Sequence, residues 1–119
     1  MTFCFDIDGV VMTRVSGNDY RLATPVTATI GLVNALFDAG HRIVLHTARG
    51  SLSGIDWREM TVAQLVAAGV KYHDLLFNKP AADFYIDDRA MPLDALAELL
   101  RMGVIGVAAD RSASSETEQ

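Results

Sequence analysis

The stretch that most constrains the fold is an apolar run that leads directly into two aspartates and a glycine. Thr2 to Phe5 carries no charge, Asp6 and Asp8 follow at alternate positions, and Gly9 comes next. A strand without charges before Asp6 is typical of the buried centre of a parallel sheet. Alternate residues of a strand face the same side. The two carboxylates would therefore lie together, where a cation or a shared proton relieves their repulsion.

Three further apolar runs also end in polar side chains. The second run ends at Thr47, the third at Lys79, and the fourth at the pair Asp87 and Asp88. In open parallel sheets, functional groups collect beyond the carboxyl ends of the strands. This repetition matters because the string Asp-x-Asp-Gly alone also occurs in calcium loops and surface turns. Together, the four runs predict one site at one edge of a sheet.

Hydrophobic periodicity predicts an alternation of strands and helices. Strands are expected over 2–11, 43–46, 72–77, 83–87 and 104–108, and helices over 25–39, 57–68 and 92–102. The predicted helix boundaries are N-caps at Thr24 and Asp56, prolines at Pro25 and Pro92, and terminal glycines at Gly40, Gly69 and Gly103. Such alternation predicts an α/β three-layer α/β/α sandwich with a mainly parallel, Rossmann-like sheet.

The remaining segments define one domain over 1–108. Residues 10–24 contain the turn-forming string Ser-Gly-Asn-Asp, which favours a small hairpin or flap above the carboxylates. This segment is too short to form a separate lid domain. Residues 109–119 are polar and free of repeats, so we expect a disordered tail.

Composition excludes several classes of partner. A net charge of -5 on 119 residues argues against nucleic acid held by electrostatics. No apolar stretch is long enough for a membrane span, and the N-terminus predicts a strand rather than a signal peptide, so the cytoplasm is the expected compartment. The single cysteine, Cys4, can form no intrachain disulfide.

The residue types at the four strand ends suit phosphoryl transfer. That reaction needs an in-line nucleophile, neutralised equatorial oxygens and a proton for the leaving group. Several carboxylates with open coordination positions suit Mg²⁺. Zinc is disfavoured, because His41, His46, His73 and the one cysteine lack ligand spacing.

These motifs resemble those of the haloacid dehalogenase (HAD) superfamily. Asp6-Ile7-Asp8-Gly9-Val10 is similar to its first motif, Thr47 to its second, Lys79 to its third, and Asp87-Asp88 to its fourth. The resemblance covers residues 2 to 108. The strings around Thr47 and Lys79 also look like those of small capsule-biosynthesis-type phosphatases. With no room for a cap domain, the chain resembles a capless member, which favours assembly into a homo-oligomer or a large substrate.

The resemblance implies a role for each motif residue. Asp6 would attack phosphorus, and Asp8 would protonate the leaving oxygen and then activate water. Thr47 would bind a phosphoryl oxygen, and Lys79 would neutralise charge. The substrate-binding set implied is Thr47, Ala48, Arg49 and Lys79. The metal set implied for Mg²⁺ is Asp6, Asp8 through its backbone carbonyl, Asp87 and Asp88. The expected substrate is a small phosphorylated metabolite, with a sugar phosphate preferred.

Two rival readings remain at this stage. One is a receiver-type domain that accepts a phosphoryl group, although there the accepting aspartate lies mid-chain. The other is a non-catalytic module that binds metal, phosphate or a partner protein. Five side chains have open roles. Arg14 and Tyr20 are candidate contacts to the leaving group, Arg49 is a substrate contact or a surface residue, and His46 is a packing residue. Asp88 is a metal ligand, a cap of the following turn or a group that orients a metal-bound water.

Overall fold

The chain folds around a small parallel sheet with helices between its strands. The structure, a computed structural model, describes residues 1–106. Its elements in chain order are β1 (Thr2–Asp6), α1 (Thr27–Asp38), β2 (Arg42–His46), α2 (Arg58–Ala68), β3 (Asp74–Leu76) and α3 (Leu93–Arg101). The strand order is β1-β2-β3, and both pairings are parallel. The predicted α/β class with a parallel sheet is confirmed.

The register of the sheet aligns the carboxyl ends of its strands. Asp6 at the end of β1 lies opposite His46 at the end of β2, and His46 lies opposite Leu76 at the end of β3. Whatever follows these three residues therefore emerges at one edge of the sheet.

The hydrophobic core lies against the central strand. Ile43 and Leu45 of β2 are fully buried, as are Val33 and Leu36 of α1 and Leu65 of α2. Each fully buried aliphatic side chain of this size contributes roughly 1.5–3 kcal/mol of transfer free energy. The best-packed strand is thus the one that leads into the loop after His46.

The helix ends follow the glycine signals, while the helix starts differ from prediction. Gly40, Gly69 and Gly103 have φ of 95°, 73° and 77° just after α1, α2 and α3, as expected. Thr24 does not cap α1, because Val26 occupies the N-cap position and the Thr24 hydroxyl lies 3.2 Å from Thr13 Oγ1 in the flap. The helix begins at Thr27 instead. Within residues 1–106, no helix is both long enough and apolar enough to cross a membrane.

The segment predicted as a hairpin or flap over 10–24 is a loop with two short 3₁₀ turns, Ser16–Asn18 and Tyr20–Leu22. A single antiparallel bridge between Met12 and Pro25 closes its base. We call this loop the flap. Its 3₁₀ turns replace a strand ladder because Asp19 accepts the backbone N–H of Arg21 and so favours a tight turn.

Two predicted strands are shorter than expected. The first ends at Asp6 rather than at 11, because the Ile7 carbonyl accepts the backbone N–H groups of residues 10, 11 and 12 in a turn. The third covers 74–76 rather than 72–77, and it pairs with residues 44–46 of β2.

The prediction of a fourth strand over 83–87 is wrong for this structure. The segment has no strand geometry, and the side chains of Phe84 and Ile86 are 83% and 97% exposed. Its polar groups bond locally: the Tyr85 hydroxyl donates to the Pro80 carbonyl, and the Arg89 N–H to Asp87. A strand needs a paired neighbour, and within residues 1–106 β1 pairs along its length with β2 alone.

The closing strand predicted over 104–108 is not formed by its first three residues. Residues 104–106 form bends and irregular structure. Residues 107 and 108, and the predicted tail over 109–119, lie outside the described residues.

Candidate active site

Three of the predicted site residues meet at the carboxyl edge of the sheet. Asp6 ends β1, Thr47 follows β2 directly, and Lys79 follows β3 after two intervening residues. Backbone bonds tie the loops together: the Thr47 N–H donates to the Leu76 carbonyl at 3.0 Å, and the Lys79 N–H to the Thr47 carbonyl at 3.3 Å. The parallel register thus brings a carboxylate, a hydroxyl and an ammonium to one edge.

Asp6 forms an accessible ion pair with Lys79. Lys79 Nζ lies 3.3 Å from Asp6 Oδ2, and the Asp6 side chain keeps 33% of its surface exposed. The other carboxylate oxygen accepts the backbone N–H of Ile7 at 2.9 Å. Lys79 Nζ also lies 4.1 Å from the centroid of the Tyr85 ring. Asp6 is therefore held in place, yet open to a reactant.

Asp8 is held by Arg49 through both carboxylate oxygens. Arg49 Nε donates to Asp8 Oδ2 at 3.0 Å, and Nη2 donates to Asp8 Oδ1 at 2.8 Å. The Arg49 side chain is fully buried, while that of Asp8 keeps 18% exposure. A bidentate pair of this kind fixes the plane of the carboxylate.

Thr47 lies beneath the surface of the site. Its side chain is fully buried, and its hydroxyl oxygen accepts the backbone N–H of Arg49 at 3.1 Å. This bond closes a tight turn over 47–49. The hydroxyl proton of Thr47 stays available for donation.

Asp87 and Asp88 lie apart from this buried group. Both residues are exposed. The backbone N–H of Arg89 holds the pKa of Asp87 below its ordinary value, and a hydrogen bond with the Asp88 side chain lowers that pKa further. Among residues 1–106, no three His, Cys, Asp or Glu side chains gather closely enough to hold a metal ion. The structure therefore does not bring the four predicted metal ligands into one cluster.

Two cavities flank the site. One, of about 630 Å³, runs beside β1 and is lined by Asp6, Lys79, Tyr85 and Asp87 among others. The other, of about 500 Å³, lies between the flap and the loop after β2, with Ala48, Tyr20 and Trp57 on its walls. Burial, followed by the charge of Asp8, raises the pKa of Tyr20. A phosphate ester at the strand ends would have room for its organic part on either side.

Two polar residues of α2 belong to the site and were missed by the sequence analysis. Arg49 Nη1 donates to Thr61 Oγ1 at 2.9 Å and to Gln64 Oε1 at 2.7 Å. Both lie on one helix face, three positions apart, near the buried Leu65. The signal that could have identified them is a pair of polar side chains at core-facing positions of a helix, because buried polar groups need a hydrogen-bond partner.

Comparisons with known proteins bear on the fold. No family model matches the chain, and no curated protein matches it. The chain is similar to the crystal structure of a protein from Vibrio cholerae described only as a structural target, with 26% identity and a TM-score of 0.69. The match covers 82% of this chain and 94% of that one. This similarity supports the α/β fold and names no activity.

Proposed function

We propose that the protein is a phosphomonoester hydrolase of the HAD type that acts through a phosphorylated Asp6. The observation that carries the proposal is the convergence of Asp6, Thr47 and Lys79 at the ends of three adjacent parallel strands. Asp8 lies two residues after Asp6 and faces a buried arginine. A nucleophile, an acid, a hydroxyl donor and a cation are the groups that phosphoryl transfer requires.

In the first step, a carboxylate oxygen of Asp6 attacks phosphorus and the bond to the leaving oxygen breaks. Asp8, in its protonated form, gives its proton to that oxygen, and the alcohol departs. Lys79 and the Thr47 hydroxyl stabilise the charge on the phosphoryl oxygens. The exposed third of the Asp6 side chain is what makes this attack sterically feasible.

In the second step, Asp8 is now a carboxylate and takes a proton from water. The water oxygen attacks phosphorus, the bond between phosphorus and Asp6 breaks, and phosphate leaves. Asp6 is regenerated as a carboxylate and Asp8 as an acid. A protonated carboxyl accepts fewer hydrogen bonds than a carboxylate, but lone pairs remain for the Arg49 donors in both forms.

The donor set at the cavity beside β1 is chemically suited to Mg²⁺. Carboxylates of Asp6 and Asp87 line that cavity, and Mg²⁺ binds through one or two carboxylates, waters and substrate phosphate. Asp6 and Asp87 would hold the ion, together with the backbone carbonyl of Asp8, since the Asp8 carboxylate is engaged by Arg49. Asp88, which the resemblance also implies as a ligand, is exposed and is not among the residues that line this cavity. When bound, the ion would neutralise phosphate charge.

The substrate class that we favour is a small phosphorylated metabolite such as a sugar phosphate. The cavity beside the flap, with Tyr20 and Trp57 on its walls, has the size for one sugar ring and can contact its apolar face. The net charge of -5 argues against a nucleic acid, whereas a small anion can still be held locally by a cation such as Lys79.

Hydrolysis of p-nitrophenyl phosphate with and without Mg²⁺ tests the proposal. We expect Mg²⁺-dependent release of p-nitrophenol that falls at least about a thousandfold in Asp6→Asn. Asp38→Asn is the matched control, because Asp38 is exposed at the end of α1 and pairs with Lys71. An Asp6→Asn protein with full turnover would contradict the proposal.

The alternative is a module that binds phosphate or metal without turnover. The salt bridge between Arg49 and Asp8 favours it, because a carboxylate that binds a buried arginine through both oxygens can have a structural role that needs no turnover. Binding of inorganic phosphate or Mg²⁺ by calorimetry, with no ester hydrolysed across a panel of sugar phosphates, would support the module over the enzyme.

A further inference from the structure

Arg49 has contacts that go beyond a simple ion pair. It is 2% exposed, and each of its three guanidinium nitrogens donates a hydrogen bond. Two of these nitrogens, Nε and Nη2, donate to the carboxylate oxygens of Asp8. The third, Nη1, reaches Thr61 and Gln64 on α2. A guanidinium satisfied in this way is fixed by the protein and has little surface left for a ligand.

The same network extends to the flap. Gln64 Nε2 donates to the backbone carbonyl of Tyr20 at 2.7 Å. The centroid of the Tyr20 ring lies 4.7 Å from the Arg49 guanidinium carbon. Helix α2 therefore fixes Arg49 on one side and the flap on the other.

We propose that Arg49 is a positioning residue for Asp8, and that Thr61 and Gln64 hold Arg49 in the orientation that this task requires. The proposal rests on the proposed function, whose proton-transfer step it deepens. Arg49 fixes the plane of the Asp8 carboxyl, so that the O–H of the protonated acid, at a position that the guanidinium does not use, points at the leaving oxygen. Arg49 itself does not touch the substrate.

The geometry supports positioning over substrate binding. Sequence reasoning placed Arg49 among the substrate contacts, yet the side chain is buried and directed at Asp8. Lysine cannot replace it, because an ammonium is a point donor and lacks the two parallel N–H groups that fix a carboxylate plane. Arg49→Lys keeps the positive charge and removes the two parallel N–H groups.

Leaving-group dependence separates positioning of an acid from a general structural role. An alkyl phosphate needs a proton on its leaving oxygen, whereas p-nitrophenolate departs without one. The value of kcat/KM reports the steps up to release of the alcohol. Loss of a well-placed general acid should therefore lower kcat/KM for the alkyl ester selectively.

The experiment compares kcat/KM for a primary alkyl phosphate and for p-nitrophenyl phosphate in four proteins: wild type, Arg49→Lys, Asp8→Asn and the double variant. In Arg49→Lys we expect a fall of about 10- to 100-fold for the alkyl ester and less than about threefold for the aryl ester. In the Asp8→Asn background, Arg49→Lys should change neither value by more than about threefold.

Controls separate this effect from damage to the fold. Arg42→Lys is the matched variant, because Arg42 is an exposed arginine at the opposite end of β2 that also pairs with an aspartate, Asp74. It should leave both values unchanged.

If Arg49→Lys does not fold, Thr61→Val is the second variant. It removes the hydroxyl that accepts from Arg49 Nη1 and keeps a side chain of similar shape. We expect a smaller fall in kcat/KM that is again selective for the alkyl ester. Equal losses on both esters, or an undiminished effect in the Asp8→Asn background, would overturn the proposal.

Failure of the proposed function would look different. If the wild type hydrolyses neither ester, the hydrolase assignment fails, and denaturant unfolding of the same four proteins tests the contact. The shift in the unfolding midpoint of the double variant should then be smaller than the sum of the single shifts. Additive shifts would show that Arg49 does not act through Asp8.

Discussion

The buried and open halves of the candidate site differ in how far the protein alone organises them. In the buried half, Thr47 and Arg49 are 0% and 2% exposed; the Thr47 hydroxyl accepts the Arg49 N–H, and the Arg49 guanidinium donates to Asp8 and to α2. In the open half, Asp6 faces an exposed segment that carries Asp87. Because buried polar groups must be bonded internally, the first half is fixed by folding. The second half retains the exposed carboxylates that a cation and a phosphate would bring together.

The largest expected effect tests the packing behind the buried half. Leu45 is fully buried in β2, directly before the site loop. Leu45→Ala should lower the free energy of unfolding by about 2–5 kcal/mol, because it removes buried methyl groups and leaves a cavity. Leu52→Ala, at a position 87% exposed, should change it by less than about 0.5 kcal/mol. Urea unfolding measures both, and equal losses would show that β2 is not the packed centre.

The next effect tests the charge on the open half. Lys79 contacts Asp6 and lines the cavity beside β1. Lys79→Met should lower kcat for a phosphate ester by about 10²–10³-fold, since it removes a cation aimed at developing charge. Lys71→Met changes an exposed lysine that pairs with Asp38 and should have no effect on kcat. A Lys79→Met variant that keeps the wild-type kcat would contradict a role for the open half in the proposed reaction.

A smaller effect tests whether the side chains of residues 83–87 are exposed to solvent. Ile86 is 97% exposed, so Ile86→Ala should change the free energy of unfolding by less than about 0.5 kcal/mol. A loss of about 2 kcal/mol or more would mean that residues 83–87 pack as a strand, as their sequence predicts.

The smallest effect concerns the edge of β1 that no strand of residues 1–106 covers. Cys4 is exposed there, and partial burial raises the pKa of its thiol. A raised pKa leaves less thiolate at a given pH, so iodoacetamide should modify the folded protein more slowly at pH 8 than a peptide in urea. The rate should rise further as the pH is increased. Complete protection of Cys4 in the folded state would show that another segment covers this edge.

The fold could be predicted from the sequence where local signals and burial agree. Ile43 and Leu45 belong to an apolar, β-branched segment, and a glycine follows each of the three helices within residues 1–106. The sequence therefore predicted β2 and the helix ends correctly. The convergence of Asp6, Thr47 and Lys79 followed from parallel pairing alone. The strand predicted over 83–87 was wrong, because an apolar segment of three residues does not determine which strand will pair with it.

The partners of Arg49 could not be predicted in the same way. Its carboxylate partner is 41 positions away in the chain, and its other contacts, Thr61 and Gln64, come from the next helix. Side-chain networks of this kind depend on tertiary packing, whereas sequence patterns report local periodicity. The sequence could locate the candidate site residues, but it could not show that Asp8 is bound by a buried arginine.

The central claim is that Asp6 carries the phosphoryl group. The most direct measurement is to quench the protein during turnover of a phosphate ester, reduce it with borohydride and map the reduced residue by mass spectrometry. An acyl phosphate is reduced to an alcohol, so the account predicts homoserine at position 6, and none in protein incubated without the ester. Reduction at Asp8, or steady turnover with no reduced aspartate under conditions that trap a known acyl phosphate, would contradict it.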